Sequence, residues 1–121
     1  MSDTISAEEI FDAVVRIQVL EKRSLEVDFF PGRVRVHLPP KRVLVRSCSV
    51  PVLKMTAVLS GMEKDQLIGT EQRGGMWTTP PGNRIIAGYL AGKYRGEAEA
   101  LLGTEVLNTL LTRLTASFPE T

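Results

Sequence analysis

The sequence is poor in the residues that most often carry chemistry. Its 121 residues include one cysteine, one histidine and one tryptophan, and aromatic residues make up only 6% of the chain. A single cysteine permits no internal disulfide, which is consistent with a reducing compartment. A metal site needs several soft or nitrogen ligands, and His37 is separated in sequence from Cys48, so we predict no metal site.

Patterns that bind phosphates or activate a nucleophile are also missing. No GxGxxG motif or P-loop follows a predicted strand, and no serine or cysteine has a histidine partner suited to nucleophilic attack. The carboxylates lie mainly on predicted solvent-exposed faces, with no apolar pocket to separate their pKa values. We therefore expect a protein that is not an enzyme and that uses no cofactor.

Long hydrophobic runs are absent as well. The apolar runs fall well short of the roughly 18 residues that a membrane span requires. The start MSDTISAEE is acidic and polar and lacks an apolar signal region. We expect a cytoplasmic protein without membrane attachment. Its 43% of hydrophobic residues and 24% of charged residues predict one folded domain over residues 1–121.

The net charge is only +1, but the charges are distributed unevenly along the chain. Residues 1–32 carry a net charge of −4 and residues 55–121 a net charge of −1. Residues 33–54, in contrast, contain six basic residues and no acid. This concentration of positive charge favours a nucleic-acid partner. The alternative is a hairpin and a helix whose basic faces are simply solvated.

A helix is predicted immediately after this basic segment. Met55, Val58, Leu59 and Met62 recur at helical spacing and form one apolar face. Pro51 is expected in the first helical turn, where a missing N–H group costs nothing. The opposite face carries small or hydrogen-bonding residues that suit a nucleic-acid groove: Lys54, Thr56, Ala57, Ser60 and Gly61.

A second helix is predicted just before it, beginning after Pro39-Pro40 and joined to it by a tight turn. Its inward positions are Leu44, Val45 and Cys48. We expect Cys48 to pack in the core, with a redox-sensing thiol as the alternative. The outer side of this helix carries three bases: Lys41, Arg42 and Arg46.

A hairpin is predicted over residues 67–79. Gly74 and Gly75 allow the positive φ angles that a tight hairpin turn requires. Arg73 would project from the tip, within reach of a phosphate or a minor groove. The alternative is an ordinary hairpin with an exposed arginine. We expect Trp77 to pack the hairpin against the helices, because a single aromatic residue makes a poor base-stacking surface.

The N-terminal third predicts one helix and one hairpin. Ser6 and Glu9 form a capping-box pattern before a helix that ends near residues 21–23. Period-two alternation on both sides of Pro31-Gly32 then predicts a β-hairpin. In that hairpin Glu26 and Asp28 are expected to face two bases across the strands, Arg33 and Arg35.

Two C-terminal helices complete the prediction, one ending near Leu102 and one beginning after Gly103. In the first helix, Gly88, Gly92 and Gly96 recur every four residues, which predicts a smooth face that a second helix approaches closely. The last helix needs cover, from this smooth face or from a second chain, for an apolar stripe of Leu107, Leu110, Leu111, Leu114 and Phe118.

These elements resemble the winged helix-turn-helix regulators. The register from Leu44 to Pro51, with Met55, Leu59 and residues 62–68, is similar to their helix-turn-helix. Gln66 stands where the common pattern of that family has glycine. Residues 72–84 are similar to the wing and following helix of MarR-like regulators.

The resemblance implies an α+β, mainly helical fold. It comprises a winged helix-turn-helix core over about residues 7–86, an extra N-terminal β-hairpin, and C-terminal packing or dimerisation helices over about residues 81–118. The expected function is sequence-specific binding of double-stranded DNA by a transcription regulator, which would act as a homodimer through its C-terminal helices. The alternative is a protein–protein adaptor in a larger complex, docked through the stripe of residues 107–118. A small-molecule effector is left open.

The residues expected to meet DNA fall into two groups. One group would enter the major groove, and the other would hold the DNA backbone. The first comprises Lys54, Thr56, Ala57 and Ser60; the second comprises Lys41, Arg42, Arg46 and Arg73.

Overall fold

The computed structural model describes residues 5–71, 73 and 75–116. This part of the chain forms six α-helices and two antiparallel hairpins, which confirms an α+β, mainly helical fold. In chain order the elements are α1 (Ala7–Arg16, continued by a π-helical segment, Ile17–Lys22), β1 (Val27–Phe30), β2 (Arg33–Val36), α2 (Lys41–Cys48), α3 (Val52–Lys64), β3 (Ile68–Thr70), β4 (Met76–Thr78), α4 (Pro80–Ala91), α5 (Arg95–Leu102) and α6 (Thr104–Thr115). Within the same residues no single helix is long and apolar enough to cross a membrane; α2 and α3 pass that test only as a pair, with a 115° bend between them.

The first helix begins and ends as its sequence predicts. The Ser6 N–H donates to Glu9 Oε1 at 2.8 Å and the Glu9 N–H donates to Ser6 Oγ at 3.2 Å, so the capping box is formed. The helix ends at Lys22, where Arg23 takes a left-handed conformation. Gln18 is buried near this end, and its amide donates to the His37 carbonyl at 2.6 Å. The helix is thereby fixed to the first hairpin.

In the first hairpin, only one of the two predicted cross-strand ion pairs is formed. Asp28 faces Arg35 across the strands, and Arg35 Nε lies 3.0 Å from Asp28 Oδ2. Arg33 instead faces Phe30 and its guanidinium lies 4.9 Å from the centre of that ring. Glu26 Oε2 lies 3.8 Å from Lys22 Nζ instead. The predicted ladder is therefore a single pair, because the register places an aromatic ring opposite Arg33.

The second hairpin, β3–β4, contacts the first through a β-bridge between His37 and Trp77. Met76 and Thr78 are buried, so Trp77 between them points the other way. Its indole lies across Gly69, and the Arg35 guanidinium stacks 4.2 Å from its ring centre. Trp77 therefore packs on the sheet surface, and the prediction that it packs against the helices is wrong.

A buried polar cluster connects both hairpins to α4. The Val36 N–H donates to Thr78 Oγ1 at 2.9 Å, and the Thr78 hydroxyl donates to Asn83 Oδ1. The Asn83 amide then donates to the Val34 carbonyl at 2.7 Å. Since all these groups are shielded from water, their mutual hydrogen bonds fix the start of α4 against both hairpins.

The predicted helix from residue 81 to Leu102 is two helices in the structure. Gly92 leaves the helical conformation, with φ −118° and ψ −95°, and α5 begins at Arg95. A Cβ atom at Gly88 or Gly96 would meet no neighbouring atom within 4 Å. The prediction of a smooth glycine face in close contact with another helix is therefore wrong, because the chain bends at Gly92.

The apolar stripe of α6 is covered within the chain. Leu107, Leu110 and Leu114 are all buried, and α6 packs against α4, α5 and β2. Leu111 is partly buried in the same core, whereas Phe118 lies outside the described residues. The interpretation in which this stripe packs within the chain is confirmed.

Candidate nucleic-acid interface

The helices α2 and α3 form a sharp corner in the candidate site. The chain bends by 115° between them. Ser49 ends α2 in a left-handed conformation, with φ 54° and ψ 45°, and Pro51 stands as the N-cap of α3 rather than in its first turn. Both the angle and the short connection lie in the range of helix-turn-helix motifs.

A well-defined C-terminal cap ends α3. Gln66 adopts a left-handed conformation with φ 62°. Its N–H donates to the Glu63 carbonyl at 3.0 Å, and the Leu67 N–H donates to the Met62 carbonyl at 2.9 Å, which together make a Schellman motif. Gln66 therefore takes the conformation that glycine usually supplies at this position, and the chain enters β3 directly after it.

The inward face of α3 is the one that the spacing predicts. Met55, Leu59 and Met62 are buried, and Val58 is half-buried. All four residues predicted to enter the major groove are exposed: Lys54, Thr56, Ala57 and Ser60. Helical spacing therefore predicts the free face of α3 correctly.

Two apolar side chains on α3 were missed. Leu53 is 84% exposed and Val52 is 55% exposed. Leu53 precedes Ala57 by one turn and Ser60 by two, so the three residues form a line opposite Met55 and Leu59. Helical spacing was the available signal, because a residue two positions from Met55 cannot share its face.

A groove of about 280 Å³ lies between α3 and the second hairpin. Lys41 Nζ donates to Thr56 Oγ1 at 3.1 Å on one side, and Thr70 Oγ1 donates to Glu63 Oε2 at 2.8 Å on the other. The groove therefore contains a carboxylate that the sequence analysis did not place on this face. Its lining residues are Lys41, Thr56, Leu59, Ser60, Glu63, Thr70 and Met76.

The outer side of α2 carries positive charge without a counter-charge. Arg42 and Arg46 are exposed one helical turn apart, and neither forms an ion pair within the described part of the chain. Like charges at this spacing repel each other by a few tenths of a kcal/mol in a helix. An approaching phosphate would relieve that repulsion. Arg73 is exposed in the turn of the second hairpin.

The remaining two bases of the basic segment belong to the first hairpin. Hydrogen bonds from His37 and Arg35 lower the pKa of Asp28, so this carboxylate stays ionised beside Arg35. Arg33 stacks on Phe30, and Arg35 stacks on Trp77. The six bases of residues 33–54 therefore separate into four on the helix pair and two on the hairpin.

Cys48 lies half-buried on the inner side of α2. Burial raises the pKa of its thiol, although the charge of Arg16 opposes this effect. A raised pKa keeps the sulfur protonated and poorly nucleophilic at neutral pH. The environment therefore favours the packing role over the redox-sensing role.

Comparison of this chain with protein-family models, with curated proteins and with solved structures finds no match. The site is therefore defined by its geometry: a 115° helix pair, an exposed face on α3, and bases around it.

Proposed function

We propose that α2, α3 and the β3–β4 hairpin form a winged helix-turn-helix that binds duplex DNA in a transcription regulator. The observation that supports this most strongly is the 115° corner with Arg42 and Arg46 on the outer side of α2, neither of them in an ion pair with another described residue. A major groove accepts one α-helix, and α3 is the helix whose free face carries no acid between Leu53 and Ser60.

The Lys41–Thr56 hydrogen bond gives these two residues linked roles. The lysine ammonium carries three N–H donors, so it can hold Thr56 and still donate to a phosphate. In this arrangement Lys41 would bind the DNA backbone while α3 enters the groove. Lys54, Ala57 and Ser60 would then face the base edges, and Arg73 would reach the backbone beside them.

A homodimer that binds a pseudo-palindromic site remains part of this proposal. Two-fold symmetry would place the half-sites about one helical turn apart. The buried α6 stripe does not support such a dimer, because Leu107, Leu110 and Leu114 are covered within the chain. Sedimentation velocity with and without duplex would test it, and a single monomeric species in both samples would contradict it.

The decisive experiment is fluorescence anisotropy with mixed-sequence duplex DNA over a range of salt concentrations. The double variant Arg42→Ala/Arg46→Ala should make the negative slope of log K against log salt shallower by about 1.8, because each lost phosphate contact contributes about 0.9. The control Lys22→Ala/Arg23→Ala removes the same charge from the end of the α1 π-helical segment and should leave the slope nearly unchanged.

The adaptor alternative gains support from one observation. The exposed Leu53 and Val52 would also suit a protein partner, because aliphatic side chains gain free energy when they leave water. The stripe of residues 107–118 is less suited to this role, since Leu107, Leu110 and Leu114 in its described part are buried. Absence of DNA binding even at about 50 mM salt, where phosphate contacts are strong, would favour the adaptor.

A further inference from the structure

Leu53 is the most exposed of the large hydrophobic side chains in the described residues. It lies in the first turn of α3, beside Val52, and this turn contains no acid. A leucine in water forgoes the free energy of burial, and with Val52 it forms a small exposed apolar patch that contact with a partner would stabilise. The surrounding charges indicate what kind of surface it meets.

The line of residues on the free face of α3 changes character along the helix. Leu53 and Ala57 are apolar and one turn apart, whereas Ser60 and Lys64, further along the same line, are polar. The N-terminal residues of a recognition helix are the ones that contact base edges. The apolar half of the line is therefore the half that would lie deepest in a major groove.

We propose that Leu53, supported by Ala57, recognises the C5-methyl group of thymine in the major groove. This inference depends on the DNA-binding function proposed above. Thymine alone among the four bases presents a methyl group there, while the other edges present donors and acceptors that an aliphatic side chain would leave unpaired. The preferred half-site should therefore contain thymine opposite the start of α3.

The basic residues around Leu53 favour DNA over an uncharged apolar partner. Lys41 lies beside α3 through its bond to Thr56, and Arg42 and Arg46 on the adjoining helix form no ion pair within the part of the chain that the structure describes. A polyanion with apolar groups within its groove matches this combination of bases and an exposed leucine. The N-terminus of α3 adds a partial positive charge, which also favours approach to phosphates.

The test compares two duplexes of identical sequence, rich in A·T pairs, in which every thymine of one is replaced by deoxyuridine in the other. This replacement removes only the methyl groups. The wild-type protein should bind the thymine duplex about fourfold more tightly for each methyl contacted, as expected for burial of about one methylene group. Leu53→Ala should bind both duplexes with nearly equal affinity.

A matched control keeps the result specific to α3. Val106→Ala shortens another aliphatic side chain, on α6, that is also largely exposed, and it should retain the preference for thymine. Both variants alter exposed residues, so their urea midpoints should stay close to that of the wild type.

The outcomes separate this inference from the proposed function. Tight, salt-dependent binding with equal affinity for both duplexes overturns methyl recognition but leaves DNA binding intact. Loss of the thymine preference in Val106→Ala overturns the assignment to Leu53. Binding to neither duplex overturns DNA binding and methyl recognition together, and Leu53-dependent binding to anionic vesicles in that case would identify a membrane surface as the partner.

Discussion

The helices α3 and α6 both bury an apolar stripe, but α3 also exposes a leucine on its opposite face. The sequence predicts that α3 presents polar groups to DNA and that the leucines of α6 need cover from a helix or a second chain. In the structure, Leu107 and Leu114 of α6 are buried by the body of the same chain, whereas Leu53 of α3 is 84% exposed. The apolar stripe of each helix therefore predicts burial, whereas Leu53, outside the stripe of α3, is left uncovered by the described residues.

The difference arises from where each helix lies. The residues of α6 pack against α4, α5 and β2, which cover its apolar face. The helix α3 contacts α1, α2 and β3 with its apolar face. Both helices leave the opposite face exposed, but only on α3 does that face carry a leucine that is 84% exposed. Four predictions test this comparison and the contacts around it, from the largest expected effect to the smallest.

The largest effect is expected from truncating one leucine in each helix. Leu107→Ala removes fully buried atoms and leaves a cavity, so it should lower the free energy of unfolding by about 2–5 kcal/mol. Leu53→Ala should change it by less than about 0.5 kcal/mol, because its side chain is in water. Urea denaturation measures both, and similar losses in the two variants would contradict the comparison.

A smaller effect is expected where α4 meets the chain just beyond α3. A Cβ atom at Gly82 would lie 2.3 Å from the Leu67 carbonyl oxygen. Because backbone must move to admit it, Gly82→Ala should destabilise the protein by about 1–3 kcal/mol. Gly88→Ala in the same helix is the control: its Cβ enters open space and should stabilise by about 0.5–1 kcal/mol. Thermal denaturation of both variants would show whether the signs differ.

A glycine substituted into the C-terminal cap of α3 should raise the free energy of unfolding. Gln66 is held at φ 62°, where glycine avoids the steric cost of a Cβ atom, which is about 1 kcal/mol. Gln66→Gly should therefore stabilise the protein by up to about 1 kcal/mol, less the greater flexibility of glycine in the unfolded chain. Gln66→Ala retains the Cβ atom and should give no such gain in urea midpoint; an equal gain would point to another cause.

The smallest effect concerns the pH dependence of stability. It arises from contacts between α1 and the turn that joins α4 to α5. Burial would raise the pKa of Asp12, but hydrogen bonds from Lys93, at 2.7 Å, and from Tyr94 outweigh it and lower the pKa. The unfolded carboxyl titrates near about 3.9. The stabilisation is therefore present above that pH and is lost as pH falls through the lower folded pKa.

We expect Asp12→Asn to be less stable than the wild type at about pH 5, with the difference shrinking towards about pH 2. Urea midpoints at both pH values measure this difference. Asp28 also has a lowered pKa, but because it is present in both proteins its contribution largely cancels from the difference in urea midpoint. A difference that is constant with pH would show that Asp12 acts without its charge.

Much of the fold and part of the site follow from local signals. The capping box at Ser6, the inward stripe of α3 and the exposed bases of α2 are all found where spacing predicts them. The break at Gly92 was missed, because glycine tolerates both a helix and a turn. The orientation of Trp77 was missed because it depends on neighbours from other elements, whereas the exposure of Leu53 was missed although its spacing from Met55 predicts it.

Apart from the break at Gly92, the sequence by itself determined which segments become helices and strands and which face of α3 and α6 is apolar. These properties depend on backbone caps and on residue spacing, which act over a few positions. Only the tertiary structure decided that the α6 leucines are covered within the chain, that Glu63 enters the groove beside Lys41, and that the basic segment divides between helix pair and hairpin. Those outcomes depend on contacts between residues distant in sequence, which local patterns do not specify.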